Sequence, residues 1–218
     1  MIKDYILIGF MSFLIFYFPI MHYSNVDAKP VKNINKVENT IERKIDKKYF
    51  NYEFAKYPYK VSIEGQNFIK EHESLRLERY LIKGESKYTI GWGHQILKHE
   101  KIGSKITLSK AQELFGNDID NVNESINRLM KPFQKRKFKF SQEFIDGLGS
   151  LIFNCGETGV KNSEFYKTLL KCRKDKNEPP NINKRDIEFA LSKIKNTHVY
   201  FNGHKKRRTN EYRLMSKL

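Results

Sequence analysis

The chain has 218 residues, 39% of them hydrophobic and 13% aromatic, enough for one domain with a real core, which excludes a wholly disordered polypeptide. A formal net charge of +16, from 41 Lys and Arg against 25 Asp and Glu, suits polyanionic partners such as nucleic acid, anionic lipid or anionic cell-wall polymer, without choosing among them. The two cysteines, Cys155 and Cys172, match neither a zinc-site nor a Cys-x-x-Cys spacing. They read as separate buried thiols, with one disulfide as the alternative in an exported chain.

Residues 5–21 form one apolar run after Lys3, slightly short for a membrane span, with Pro19 near its end. Val26 and Ala28 are small residues at the −3 and −1 positions of a cleavage site. Residues 1–28 therefore read as a secretory signal cleaved after Ala28, or as an uncleaved N-terminal anchor. Either way the rest of the chain is expected outside the cytoplasm, in the periplasm or secreted, which argues against nucleic acid as its partner. Residues 29–58 are rich in Lys, Asn and Glu and read as a polar linker. Residues 59–218 form the expected domain.

Periodicity strengthens at residue 62. The stretch 62–73 predicts a short helix capped by Ser62, with Ile63, Phe68 and Ile69 turned inward and Glu73 at its exit. Residues 75–82 and 87–93, joined by a KGES turn, predict a β-hairpin. Residues 106–130 carry the strongest helical pattern: Leu108, Ala111, Leu114, Phe115, Ile119, Val122, Ile126 and Leu129 recur every three or four positions. Gly116 is the point where that helix would bend. A helix from Ser141 buries Phe144, Ile145, Leu148, Leu151 and Ile152, with Gly156 as its C-terminal cap. Shorter helices are expected over 164–172 and 184–195, and a last one from about His204. The fold class is α+β, mostly α.

A carboxylate at a helix exit, such as Glu73, is by itself an ordinary surface residue. Its neighbours make it a candidate. FIKEHESLRLERY followed by YTIGWGH resembles the N-terminal signature of the phage-type lysozymes (endolysins, muramidases). Ile69, Lys70, Glu73, Leu75, Arg76, Leu77, Tyr80, Thr89, Ile90, Gly91, Gly93 and His94 match it in order, with Ser74 for the usual Gly and Trp92 for the Tyr. Further blocks follow in the family's order: Ile106-Thr107 with Ala111 and Asp118, Phe153-Asn154-Cys155-Gly156, Ser163 with Phe165, and Gly203, Arg207-Arg208, Glu211. Together they span about residues 61–216.

The resemblance implies a lysozyme-like domain with a small N-terminal β-hairpin lobe and a helical lobe. It implies hydrolysis of the β-1,4 bond between N-acetylmuramic acid and N-acetylglucosamine in peptidoglycan. Glu73 would protonate the leaving oxygen, and the Thr89 hydroxyl would help hold the attacking water. Gly91 and Gly93 would let the hairpin backbone approach the glycan and the base of the helix. Trp92 would pack under the hairpin, with stacking on a sugar as the alternative. His94 reads as a structural link between hairpin and helices.

The family pattern has a second acid between these two residues. Counting forward from Glu73 lands on Ile82, and counting back from Thr89 lands on Lys83. Glu85, in the KGES turn, is the nearest carboxylate and the candidate substitute; Glu78 reads as an outward-facing charge. Arg207 or Arg208 would pair with Glu73 across the cleft, or both would join the basic surface. Asn154 and Ser163 would line the groove or cap helices. No Gly-rich phosphate loop or His/Cys ligand cluster occurs, so no metal or cofactor is implied. The expected partner is the peptidoglycan glycan strand, met by a monomer, with membrane contact only through an uncleaved N-terminal segment. The alternative is a catalytically weakened peptidoglycan-binding protein of the same fold.

Overall fold

The computed structural model describes residues 54–82, 86–174, 182–198 and 202–217. The N-terminal run, most of the expected linker and Glu85 lie outside the described residues. In chain order come helix α1 (Ile63–His72), strands β1 (Arg76–Leu81), β2 (Tyr88–Gly91) and β3 (His94–Gln95), then helices α2 (Leu108–Lys135), α3 (Gln142–Asn162), α4 (Glu164–Leu169) and α5 (Lys184–Ser192). A 3-10 turn (Lys193–Asn196) leads to α6 (Asn202–Met215). The expected α+β, mostly α class holds. Among the described residues no helix is long and apolar enough to cross a membrane.

The helices start where side-chain caps stop the backbone from fraying. Ser62, Thr107, Ser141, Ser163 and Asn183 each accept a hydrogen bond from an N–H in the first turn of the following helix. The helix α2 spans 28 residues, about 42 Å at 1.5 Å per residue, and runs unbroken through Gly116. Its stripe of Ala111, Leu114, Phe115, Ile119, Val122, Ile126 and Leu129 is buried against α3, whose Phe144, Ile145, Leu148, Leu151 and Ile152 are buried in turn. Two inward assignments are corrected. Ile63 and Leu108 are exposed, each in the first turn of its helix, where the core has not yet closed over the chain.

Gly156 adopts φ 71° and ψ 163°, an extended conformation that only glycine takes readily and not the left-handed helical one of the expected C-terminal cap, and helical residues resume beyond it to Asn162. The element is therefore two helices meeting at a kink. The buried Asp146 on α3 ties the entry of α1 down: its carboxylate accepts from Ser62 N–H at 2.8 Å, Ser62 Oγ at 2.6 Å and Gln142 Nε2 at 2.9 Å. Burial still pushes the Asp146 carboxyl above its usual range.

The expected hairpin exists and carries a third strand. β1 pairs antiparallel with β2, and β2 with β3, in the order β1-β2-β3. Gly91 (φ 66°) and Gly93 (φ 86°) turn the chain back within three residues, so that His94 pairs with Ile90 and Gln95 with Thr89. No L side chain adopts that geometry readily, which is why two glycines interrupt a β-favouring stretch. Glu78 faces outward, as expected, and pairs with Lys105 at 3.0 Å.

Candidate active site

A groove of ≈ 600 Å³ runs between the sheet and the helices. Glu73, Tyr80, Ile82, Thr89, Gly93, Asp118, Asn154 and Glu157 are among its lining residues. The fold thus brings Glu73, at the exit of α1, and Thr89, on β2, to one concavity. Thr89 is 2% exposed, and its Oγ1 has no hydrogen-bond partner among the described residues. A buried hydroxyl without a partner is uncommon, because desolvation is then uncompensated. Thr89 borders the groove, but this oxygen is covered, so it meets an occupant only when the wall shifts.

Glu73 is held from two sides. Its backbone N–H closes α1 by donating to Ile69 and Lys70 carbonyls, and its side chain forms an ion pair with Arg207 of α6. Of the two arginines considered from sequence, Arg207 therefore meets the acid. Arg208 turns the other way and donates to Asn154 Oδ1. Gly93 lies directly over the carboxylate: a β-carbon there would stand 3.2 Å from Glu73 Oε2. Both are buried arginines, so the reading of Arg207 and Arg208 as basic surface is corrected.

Trp92 packs rather than lining the groove. Its ring meets Phe115 edge-on with centroids 5.7 Å apart, and Lys70 Nζ sits 4.6 Å from the centroid of each ring. His94 joins β3 to α2 through Asp118, with Nδ1 3.0 Å from its carboxylate, while Nε2 lies 3.1 Å from Glu100. Two carboxylates facing two ring nitrogens favour the doubly protonated ring. The hydrogen bond to Asp118 leads in raising the His94 pKa, against the opposing effect of burial. Asn154 lines the groove; Ser163 instead caps α4. Both cysteines are free, Cys172 buried and Cys155 half-buried on the groove lining.

At the position reached by counting forward from Glu73, the groove wall carries the apolar side chain of Ile82. Two other lining carboxylates, Asp118 and Glu157, were not singled out from sequence as site residues. Asp118 is engaged by His94, and Glu157 pairs with Arg128 at 2.9 Å, which holds the Glu157 carboxyl below the usual range. Glu157 follows Gly156 directly, so the break in the helix was the one signal that its side chain would turn toward the groove. Among the described residues no group of three or more His, Cys, Asp or Glu side chains is arranged to hold a metal ion.

Comparison with known proteins points to one family. The Phage lysozyme family model matches residues 70–211. The endolysin of Acyrthosiphon pisum secondary endosymbiont phage 1 is 31% identical over 109 residues, covering 50% of this chain and 68% of that protein. The endolysin of Lactococcus phage c2 is 36% identical over 102 residues, 46% of this chain and 42% of that protein. Among solved structures, the muramidase domain of SpmX from Asticaccaulis excentricus superposes with a TM-score of 0.56 at 23% identity, over 73% of this chain and 99% of that one. An endolysin from Escherichia coli O157:H7 phage FAHEc1 gives 0.53 at 26% identity, over 75% and 97% of the two chains. A mutant of P22 lysozyme gives 0.52 at 22% identity, over 72% and 97%.

Proposed function

The chain belongs to the phage lysozyme family, as a peptidoglycan hydrolase of the endolysin type, and on that premise we propose that it cleaves the β-1,4 bond between N-acetylmuramic acid and N-acetylglucosamine with Glu73 as the general acid. The observation that carries this reading is the shared groove. Glu73 and Thr89 both line it, and the buried Thr89 hydroxyl has no hydrogen-bond partner among the described residues. Glu73 in its acid form gives its proton to the glycosidic oxygen as the bond to the anomeric carbon breaks. Water, hydrogen-bonded by Thr89 Oγ1, adds to that carbon from the opposite face, and the proton it releases returns to solvent. Arg207 meets the Oε1 oxygen, so Oε2 is the oxygen that carries the proton, and the pair holds the carboxyl in place while the proton is given.

The apolar Ile82 on the groove wall favours a second reading, a peptidoglycan-binding protein with weakened catalysis. Bacterial cell walls treated with the full chain and with Glu73→Gln decide between them. Clearing of turbidity by the parent alone supports catalysis; binding by both with no clearing supports the binder. Clearing by both proteins would sink the assignment of Glu73. Glu85→Gln tests the turn: a rate loss of about 10²-fold gives Glu85 the water-orienting role, and an unchanged rate leaves the reaction to Glu73 and Thr89. The +16 charge suits the anionic polymers of the wall, and export through residues 1–28 belongs to the same proposal.

A further inference from the structure

Glu211 is fully buried on α6, yet it is a carboxylate with no contact to the groove. Its two oxygens are divided between two guanidiniums. Oε1 accepts from Arg207 Nε at 3.1 Å and from Ser150 Oγ at 2.7 Å, and Oε2 accepts from Arg208 Nη1. Each arginine then reaches a different groove residue. Arg207 Nη1 donates to Glu73 Oε1, while its Nη2 is steadied by the Ser150 carbonyl and hydroxyl at 3.2 Å. Arg208 Nη2 donates to Asn154 Oδ1, while its Nε donates to the Thr197 carbonyl at 3.0 Å.

The ionised groups alternate in sign along this path: Glu73, Arg207, Glu211, Arg208. A buried chain of this kind is neutral as a whole only when Glu211 is charged. Spacing on the helix supplies the pairs, since Glu211 lies four residues after Arg207 and three after Arg208, on the same face. Arginine only donates, so the Asn154 amide must turn its oxygen toward Arg208. Its NH2 is the end left over as a donor for a glycan oxygen.

We propose that Glu211 is a positioning residue that, through Arg207 and Arg208, sets the orientation of the Glu73 carboxylate and the Asn154 amide together. This rests on the reading of Glu73 as the proton donor. Glu211 touches neither substrate nor reacting atoms; without its charge the two guanidiniums face each other unbalanced, and neither groove residue keeps its direction.

The test is steady-state hydrolysis of soluble, uncross-linked peptidoglycan strands by the full chain and by Glu211→Gln, Arg207→Gln and the double variant. Glu211→Gln is expected to lower kcat by about 10²-fold and to change KM by less than about threefold, the pattern of lost orientation. Added to Arg207→Gln it should cost less than about threefold more, because the two act in series. A Glu211→Gln kcat within about twofold of the parent, or effects that multiply in the double variant, overturns the proposal. If Glu211→Gln does not fold, as judged by near-UV circular dichroism, Ser150→Ala replaces it. A several-fold lower kcat at unchanged KM supports the role, and unchanged kcat overturns it. Glu73→Gln is run alongside: full activity there removes the reading of Glu73 itself, whereas an inactive Glu73→Gln beside a fully active Glu211→Gln removes only the positioning role.

Discussion

Gly93 and Glu73 stand so close that a β-carbon on the glycine would lie 3.2 Å from the carboxylate Oε2 and 3.6 Å from Phe153 Cε1. The turn between β2 and β3 and the exit of α1 are thus fitted to each other at the groove. Gly93→Ala meets two penalties at once, the positive φ of 86° and the crowding of Glu73. The expected result is a loss of about 1–2 kcal/mol in stability and of up to about 10²-fold in wall clearing from displacement of the acid. Thermal melts and turbidity rates measure both; an unaltered rate would separate the turn from the chemistry.

Thr89 separates stability from activity. Its Oγ1 is buried without a partner among the described residues, so the folded protein carries that desolvation uncompensated. Thr89→Val keeps the shape and removes the polar atom. It should raise stability by about 1 kcal/mol, a rise in Tm of about 2–4 °C for a domain of this size. The same change should lower the hydrolytic rate by about 10²-fold or more through loss of the water contact. Thr89→Ser, which retains the hydroxyl, is expected to keep most of the rate. A Thr89→Val enzyme with parental rate would remove Thr89 from the mechanism.

The link between His94 and Asp118 makes stability depend on pH in a defined direction. The folded pKa of His94 is raised, chiefly by the Asp118 hydrogen bond, with Glu100 adding to it. A raised folded value means that the contribution is fully present below the unfolded value of about 6.5 and is lost as pH rises through the folded one. Comparison of Tm between parent and Asp118→Asn across pH 5–9 isolates this pair, because the other histidines cancel in the difference. The gap should be widest at the acid end and should narrow with rising pH. A gap that is constant with pH would show that the pair acts without a proton.

The cysteines should be poor nucleophiles in the folded protein. Burial pushes the Cys172 thiol up to about 11 and raises Cys155 as well, so little thiolate exists near neutral pH. Native alkylation with iodoacetamide at about pH 7.5, read by mass spectrometry, should leave Cys172 unlabelled until denaturant is added. Rapid labelling of Cys172 in the native protein would contradict its placement.

Much of the architecture is legible along the chain. The inward stripe of α2 is written as apolar residues three and four apart, and the caps Ser62 and Ser141 precede their helices. The hairpin is written as two β-favouring runs around a Gly-containing turn, and the motif residues Glu73 and Thr89 can be paired by family likeness. These signals are local, set by the period of the backbone and by the few residues that tolerate special angles. The third strand was less visible, because β3 has only two residues and exists through its pairing with β2.

Only the tertiary structure decided which of two adjacent arginines faces the acid. Neighbouring positions on a helix point about 100° apart, and nothing local tells Arg207 from Arg208. The choice is made by α3 and by the exit of α1, 134 residues away in the chain from Arg207. In the same way, whether Ile63 and Leu108 are covered, whether Thr89 Oγ1 finds a partner, and which carboxylates line the groove depend on what packs opposite. Periodicity specifies a face; the identity of the group it meets is set only when distant segments close around one core.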